Sequence, residues 1–282
     1  MIVLENGAAR LELFPQVGGA VASFSVAGRD ILRPMAKGAT DALDTSSFPL
    51  VPFCNRIPHG RFVFEGREFL LKPNLGDHPH PLHGQGWRGG WIVDGAKGAK
   101  AALSYEHAPS DWPWAYRAEQ TFVLGEASLR MELSVINTGD APMPAGLGFH
   151  PYFPRRPGER LKASVDGVWM IDETILPTVH HDGVWGPDWT RGAGVEGHDD
   201  LIDHCYTGWN QRAELSAPGQ PTTTITAPAD CRWLHLYVPP NQPFYCVEPC
   251  ANRPNPFGPP DSGMVTLAPG ESRAIWMEIA TT

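Results

Sequence analysis

Leu129-Arg130-Met131-Glu132-Leu133-Ser134-Val135 alternates apolar and polar residues without a break. Successive side chains of an extended chain leave opposite faces. This run is therefore a strand with one face in a core and the other towards water. Thr121-Phe122-Val123-Leu124 comes just before it, and Gly125-Glu126 between the two runs reads as a hairpin turn. The same period returns near the C-terminus, where Ile275, Met277 and Ile279 alternate with Ala274, Trp276 and Glu278. Arg10-Leu11-Glu12-Leu13-Phe14 and Phe62-Val63-Phe64 repeat it on a smaller scale. Trp233-Leu234-His235-Leu236-Tyr237-Val238 reads as a more deeply buried strand. Helical periodicity is scarce, and its best instance is a short segment near Ala42 to Phe48.

The chain has 282 residues, with 29 prolines and 30 glycines, which suit many short strands and turns rather than helices. A chain this long buries most of its apolar surface and needs no disulfide staples. With no internal repeat and no linker, residues 1–282 read as a single domain. Two large antiparallel sheets packed face to face, an all-β sandwich, fit best. The stretches 72–90, 138–160, 186–200 and 249–263 are rich in turn residues and read as long loops, which in a compact domain tend to be functional.

Net charge is −9, which argues against a nucleic-acid or anionic-membrane surface. The first residues have no basic and apolar leader pattern, and no run of ~18 apolar residues occurs, so no membrane association is expected. Five cysteines (Cys54, Cys205, Cys231, Cys246 and Cys250) follow no zinc spacing. A cytoplasmic protein with reduced thiols is expected, with a Cys246–Cys250 redox pair as a minor alternative.

Polar residues beside glycine, proline and aromatic residues mark the candidate chemistry. His150 lies in Gly146-Leu147-Gly148-Phe149-His150-Pro151-Tyr152. Histidine titrates near neutral pH and can act as a general acid, and the flanking glycines would let the backbone approach a ligand. The ordinary alternative is a histidine hydrogen-bonded in a turn. Glu248 ends the apolar run Phe244-Tyr245-Cys246-Val247. A carboxylate there is costly unless it is functional or paired, for example with Arg253. His78, His80 and His83 are close enough in sequence to raise a metal site, but the intervening prolines give no helical ligand spacing. His83, beside Gly84, is the best placed of the three to meet a ligand. Arg56 offers a forked donor in a Pro/Gly-rich loop, and Asp203 can accept bonds from hydroxyls. Surface or turn roles are the plain alternatives for both. Aromatic faces suit the apolar face of a sugar, although the ten tryptophans are also explained by a large core. No phosphate loop, nucleophile elbow or dinucleotide fingerprint is present.

Together Gly18-Gly19-Ala20, Asn55-Arg56-Ile57, Gly60-Arg61-Phe62, Leu82-His83-Gly84, His150-Pro151-Tyr152-Phe153, Asp203 and Glu248-Pro249 resemble the aldose 1-epimerase (galactose mutarotase) family along nearly the whole chain. Pro81-Leu82-His83-Gly84-Gln85-Gly86-Trp87 and Thr207-Gly208-Trp209-Asn210 look most like an uncharacterised bacterial branch of it. The resemblance implies a galactose-mutarotase-like sandwich, or supersandwich, that needs no cofactor and no metal. Its expected partner is a small-molecule sugar, bound by a monomer or homodimer. It implies that Glu248 takes the proton of the anomeric hydroxyl and His150 protonates the ring oxygen. His83 and Arg56 would stabilise charge on that oxygen, and Asp203 would grip hydroxyls. His204-Cys205 after Asp203, and the loops 72–81 and 249–263, depart from the family pattern and leave the sugar open. The alternatives are a carbohydrate-binding protein without catalysis, an epimerase of a modified or phosphorylated sugar, and a glycoside-active enzyme. Glycosidases usually need two carboxylates about the bond, whereas the pair here is Glu and His.

Overall fold

The alternating run that decides the class lies inside the strand Ser128–Asn137, hydrogen-bonded to Tyr116–Leu124 on one side and to Ser272–Thr281 on the other. Leu129, Met131, Leu133 and Val135 are buried, as are Ile275, Met277 and Ile279. The computed structural model describes residues 1–258 and 261–282. These strands centre a nine-stranded sheet that ends at Ala193–Gly194 on one edge and Ile92–Lys97 on the other. The expected hairpin turn closes where Gly125 N–H donates to Ser128 O at 2.8 Å.

A second sheet has eleven strands. Its central order runs Ala20–Val26, Ser47–Leu50, Gly148–Pro154, Phe244–Cys250, Trp233–Val238, Ile202–Thr207, Gly167–Ile171. Every pairing of named strands in both sheets is antiparallel among the described residues. Phe149, Phe153, Leu234, Leu236 and Val247 of this sheet share one core cluster with Leu129, Leu133 and Met277 of the other. Two sheets thus pack face to face, as the period-two reading requires. Losing a ring from this layer, as in Phe153→Ala, typically costs ~3–5 kcal/mol.

The opposite face of the larger sheet is buried too. Phe48, Tyr152, Cys205, Trp233 and Cys246 form a second cluster there, capped by Trp87 from the loop segment 72–90. Strands covered on both sides read as continuous apolar runs, which is why Trp233–Val238 showed no wet face. The pleat then sorts neighbours. Phe149 and Phe153 go to the core between the sheets, while His150 and Tyr152 go to the other face.

Three sequence expectations need correction. Ala42 to Phe48 is not a helix. Only Ala42–Asp44 makes a 3-10 turn, capped by Asp41, and Ser47–Leu50 is a central strand. The stretch 138–160 is not one long loop, because it contains the strands Met143–Ala145 and Gly148–Pro154. Cys246 and Cys250 cannot form a redox pair. They share one strand four residues apart, a separation of roughly 13 Å, well beyond disulfide reach. All five cysteines are free and buried. No helix is long and apolar enough to cross a membrane among the described residues.

Candidate active site

The larger sheet carries a row of side chains straight across five strands. Phe48 pairs with His150, Glu248 pairs with His235, and His235 pairs with Cys205. His150 and Glu248 stand opposite each other, midway between the pairs Gly148–Cys250 and Tyr152–Cys246. Directly opposed residues share a face, so the whole row faces away from the core between the sheets. The next row on that face holds Tyr152, Cys246, Tyr237 and Asp203. Over these rows lies a cavity of about 330 Å³, lined by His150, Glu248, His83, Arg56, Asp203 and His235 among others. All five residues singled out from the sequence therefore meet in one pocket.

His150 Nε2 lies 3.4 Å from Glu248 Oε1. The imidazole packs against Phe48 and Tyr152, with ring centroids 4.6 and 4.8 Å away. Burial, with His235 nearby, pushes the His150 pKa down to about 3. Burial, reinforced by the Asp203 charge, holds the Glu248 carboxyl well above the usual range. Both shifts favour neutral groups. A neutral imidazole beside a carboxylic acid has the same net charge as an imidazolium beside a carboxylate. The pair therefore shares one mobile proton, and burial favours leaving it on the carboxyl. Glu248 Oε2 and His150 Nδ1 have no hydrogen-bond partner among the described residues. Unsatisfied buried polar atoms beside perturbed acids are a mark of functional sites.

The other wall is held by a second network. Asp203 Oδ1 accepts from His235 Nε2 at 2.6 Å, and Oδ2 accepts from Arg56 Nη2 at 3.0 Å. Burial opposes ionisation of Asp203, but the Arg56 charge and the His235 hydrogen bond outweigh it and keep the carboxyl below its ordinary range. Arg56 also donates from Nη1 to Asn55 Oδ1 and from Nε to His78 Nε2. Three of its five N–H groups are thus spoken for, leaving two for a ligand. Asn55 N–H donates to His83 Nδ1 at 3.0 Å. Burial, with His150 and Arg56 adding to it, holds His83 neutral. Its proton is then on Nε2, which makes His83 a hydrogen-bond donor.

The loops that carry these residues are locally strained. Asn55 and His83 adopt φ of +60° and +58°. Non-glycine residues held there are concentrated at functional sites. Gly84, with φ of +71°, is required outright, because a Cβ on it would lie 2.2 Å from the Val51 carbonyl oxygen.

Several readings change in detail. His150 is mid-strand, not in a turn, and Glu248 lies within its strand rather than after it. The glycines near His150 make room for protein, not ligand. A Cβ on Gly148 would meet Cys54 Sγ at 2.6 Å, and one on Gly146 would meet Asn252 Oδ1 at 2.0 Å. Arg253 is not the partner of Glu248; its guanidinium packs over Trp169 at 4.2 Å. His78, His80 and His83 do not converge. His78 Nε2 accepts from Arg56, His80 Nδ1 from the His59 N–H, and His83 Nδ1 from Asn55. The aromatic lining comes from Tyr152, Tyr237 and Phe244, while Trp87, Trp91, Trp112 and Trp189 are fully buried. His235 is the site residue that sequence reasoning missed. Its signal was a histidine within an apolar strand run, sharing its face with Tyr237.

A sequence description of the family Aldose 1-epimerase matches residues 1–280. The chain belongs to the aldose 1-epimerase family. Relatives within reach include the uncharacterized protein YphB of Escherichia coli (strain K12), 34% identical over 98% of this chain and 97% of that protein. The uncharacterized protein YihR of the same organism is 25% identical over 82% of this chain and 77% of its own length. Among solved structures, a galactose mutarotase-like protein from Clostridium acetobutylicum superposes with a TM-score of 0.87. It covers 99% of this chain and 94% of its own at 19% identity, a likeness of fold. An Escherichia coli K12 structure described provisionally as an aldose 1-epimerase reaches a TM-score of 0.92 at 31% identity, covering 99% of this chain and 98% of its own. The aldose 1-epimerase sandwich thus accounts for both sheets.

Proposed function

We propose that the protein is a mutarotase that interconverts the α and β anomers of a free aldose without a cofactor. One observation carries the reading: His150 Nε2 and Glu248 Oε1 stand 3.4 Å apart, buried in the floor of a small pocket. Opening a cyclic hemiacetal removes a proton from the anomeric hydroxyl and adds one to the ring oxygen. Both oxygens are bonded to the same carbon. An acid and a base side by side, sharing one proton, match that need.

In the ring-opening direction Glu248, as carboxylate, takes the hydroxyl proton, and His150, as imidazolium, protonates the ring oxygen. The C1–C2 bond of the aldehyde rotates, and reclosure on the other face reverses the two roles. His83 Nε2–H and the spare N–H groups of Arg56 stabilise the ring oxygen as charge develops. Asp203, fixed by Arg56 and His235, accepts from sugar hydroxyls and orients the ring. The tyrosine and phenylalanine rings supply apolar surface. Arg56 is the sole Lys or Arg of the lining and is already paired with Asp203, which favours an uncharged sugar over a phosphorylated one.

The test is anomer exchange by NMR saturation transfer on free glucose, galactose, arabinose, xylose, fucose, rhamnose and sulfoquinovose. Acceleration with any of them supports the reading and identifies the sugar class. No acceleration from a folded protein overturns it for free sugars and points to a sugar-binding role.

A further inference from the structure

Cys246 lies on the face that carries the pocket, two residues before Glu248 and opposite Tyr152. One ligand atom each from His150, Cys246 and Glu248 falls within 4.8 Å of the others, and all three residues are buried. An imidazole nitrogen, a thiolate sulfur and a carboxylate oxygen are the donors that zinc takes. Two nitrogen or oxygen ligands on a tetrahedral zinc, with bonds of about 2.0–2.2 Å, sit ~3.3–3.6 Å from each other. His150 Nε2 and Glu248 Oε1, at 3.4 Å, already have that spacing. Packing against Phe48 and Tyr152 restrains the imidazole, so less ordering remains to be done on that side. Glu248 Oε2, wholly buried and without a partner among the described residues, is an independent sign that the carboxylate is not satisfied by protein alone.

We propose that the pocket floor is an inhibitory site for a soft divalent cation of the zinc class, held by His150, Cys246 and Glu248 with its fourth position towards the cavity. Binding releases the thiol proton and the proton that the His150–Glu248 pair shares. The inhibitory consequence rests on the epimerase reading, because a bound cation removes the acid and the base together. The thiol sets the selectivity. Magnesium and calcium prefer all-oxygen sites, whereas zinc, cobalt and cadmium accept mixed nitrogen, sulfur and oxygen donors.

The experiment titrates the chelator-treated full chain with cobalt(II). It follows the near-ultraviolet thiolate-to-cobalt absorption, displaces cobalt with zinc, and records anomer exchange in parallel. The expected result is one cobalt per chain with a thiolate band, displacement by zinc, and exchange falling in step with occupancy. Cys246→Ser should lose the band and weaken zinc binding by at least ~100-fold, beyond the usual cost of losing an outer-shell partner. Its metal-free exchange should stay within about twofold of the parent, the scale of a near-neutral change. Cys246→Ala serves if the serine variant does not fold. Absence of a stoichiometric band, or zinc inhibition that survives loss of the thiol, overturns the site. A band without exchange on any sugar supports the cation site and overturns the epimerase reading. Exchange without a band does the reverse.

Discussion

His150 and Glu248 face each other across two paired strands, 98 residues apart in sequence, with Nε2 of one 3.4 Å from Oε1 of the other. Because they share one proton, neither works alone. Glu248→Gln and His150→Asn should each lower the anomer-exchange rate by roughly 10²-fold or more, the scale of general acid–base catalysis. The double variant should be little worse than either single one, since groups acting as a unit are not additive. Near-parent exchange in either variant would remove that residue from the mechanism.

Arg56 and Asp203 form a buried ion pair, with side chains 9% and 4% exposed. Removing the cation strands the carboxylate, and breaking such a pair typically costs ~3–5 kcal/mol. Arg56→Met should therefore lower the urea unfolding midpoint markedly. The His235 hydrogen bond remains, which places the loss at the lower end. Arg56→Met combined with Asp203→Asn should recover much of it, because no buried charge is then left unpaired. A double variant as unstable as Arg56→Met alone would mean that Arg56 acts through packing instead.

The extent to which this site was legible follows from how each strand is covered. Ser128–Asn137 has one buried and one wetter face, so Leu129, Met131, Leu133 and Val135 declared the strand through their period. Glu248 was legible because a carboxylate interrupts an apolar run. His235 was not, because Trp233–Val238 is buried on both faces and its period is erased. A histidine there has no polar neighbours to mark it, and only the pairing with Asp203, 32 residues away, explains it. Phe48 was misread as helical because Asp41 does cap a turn at Ala42–Asp44. The pairing of Ser47–Leu50 between Ala20–Val26 and Gly148–Pro154 then overrides any helical extension. Such long-range pairings leave no local trace in sequence.

Buried histidines make stability depend on pH. His150 falls from an ordinary 6.5 to about 3 on folding, chiefly through burial, and His83 is also lowered. A depressed pKa means that the unfolded chain binds the proton more readily. Their contribution is fully present above pH 6.5 and is lost as pH falls from there towards 3. Glu248 has the opposite sign. Its raised pKa favours the fold below the ordinary carboxylate range, and that contribution is lost as pH rises through the folded value. Thermal unfolding should therefore show falling stability between about pH 6.5 and 4, on the order of a few kcal/mol. His150→Asn should flatten that slope. A pH slope unchanged by His150→Asn would show that this imidazole is not held neutral.

Gly84 separates conformational strain from steric clash at the site. Its φ of +71° disfavours any side chain, and a Cβ would also lie 2.2 Å from Val51 O, at the backbone bridge that joins the two segments. Gly76, in the same loop segment, has a φ of +46°, but a Cβ on it would meet nothing within 4 Å. Gly76→Ala should cost only backbone strain, ~1–3 kcal/mol at most. Gly84→Ala should cost more, because the Val51 backbone directly continues the strand Ser47–Leu50, which is paired to Gly148–Pro154. It should also reduce exchange more than its loss of stability explains, since His83 is the adjoining residue and donates into the pocket. Equal stability losses in the two variants, with equal exchange per folded molecule, would show that the Gly84 contact does not position His83.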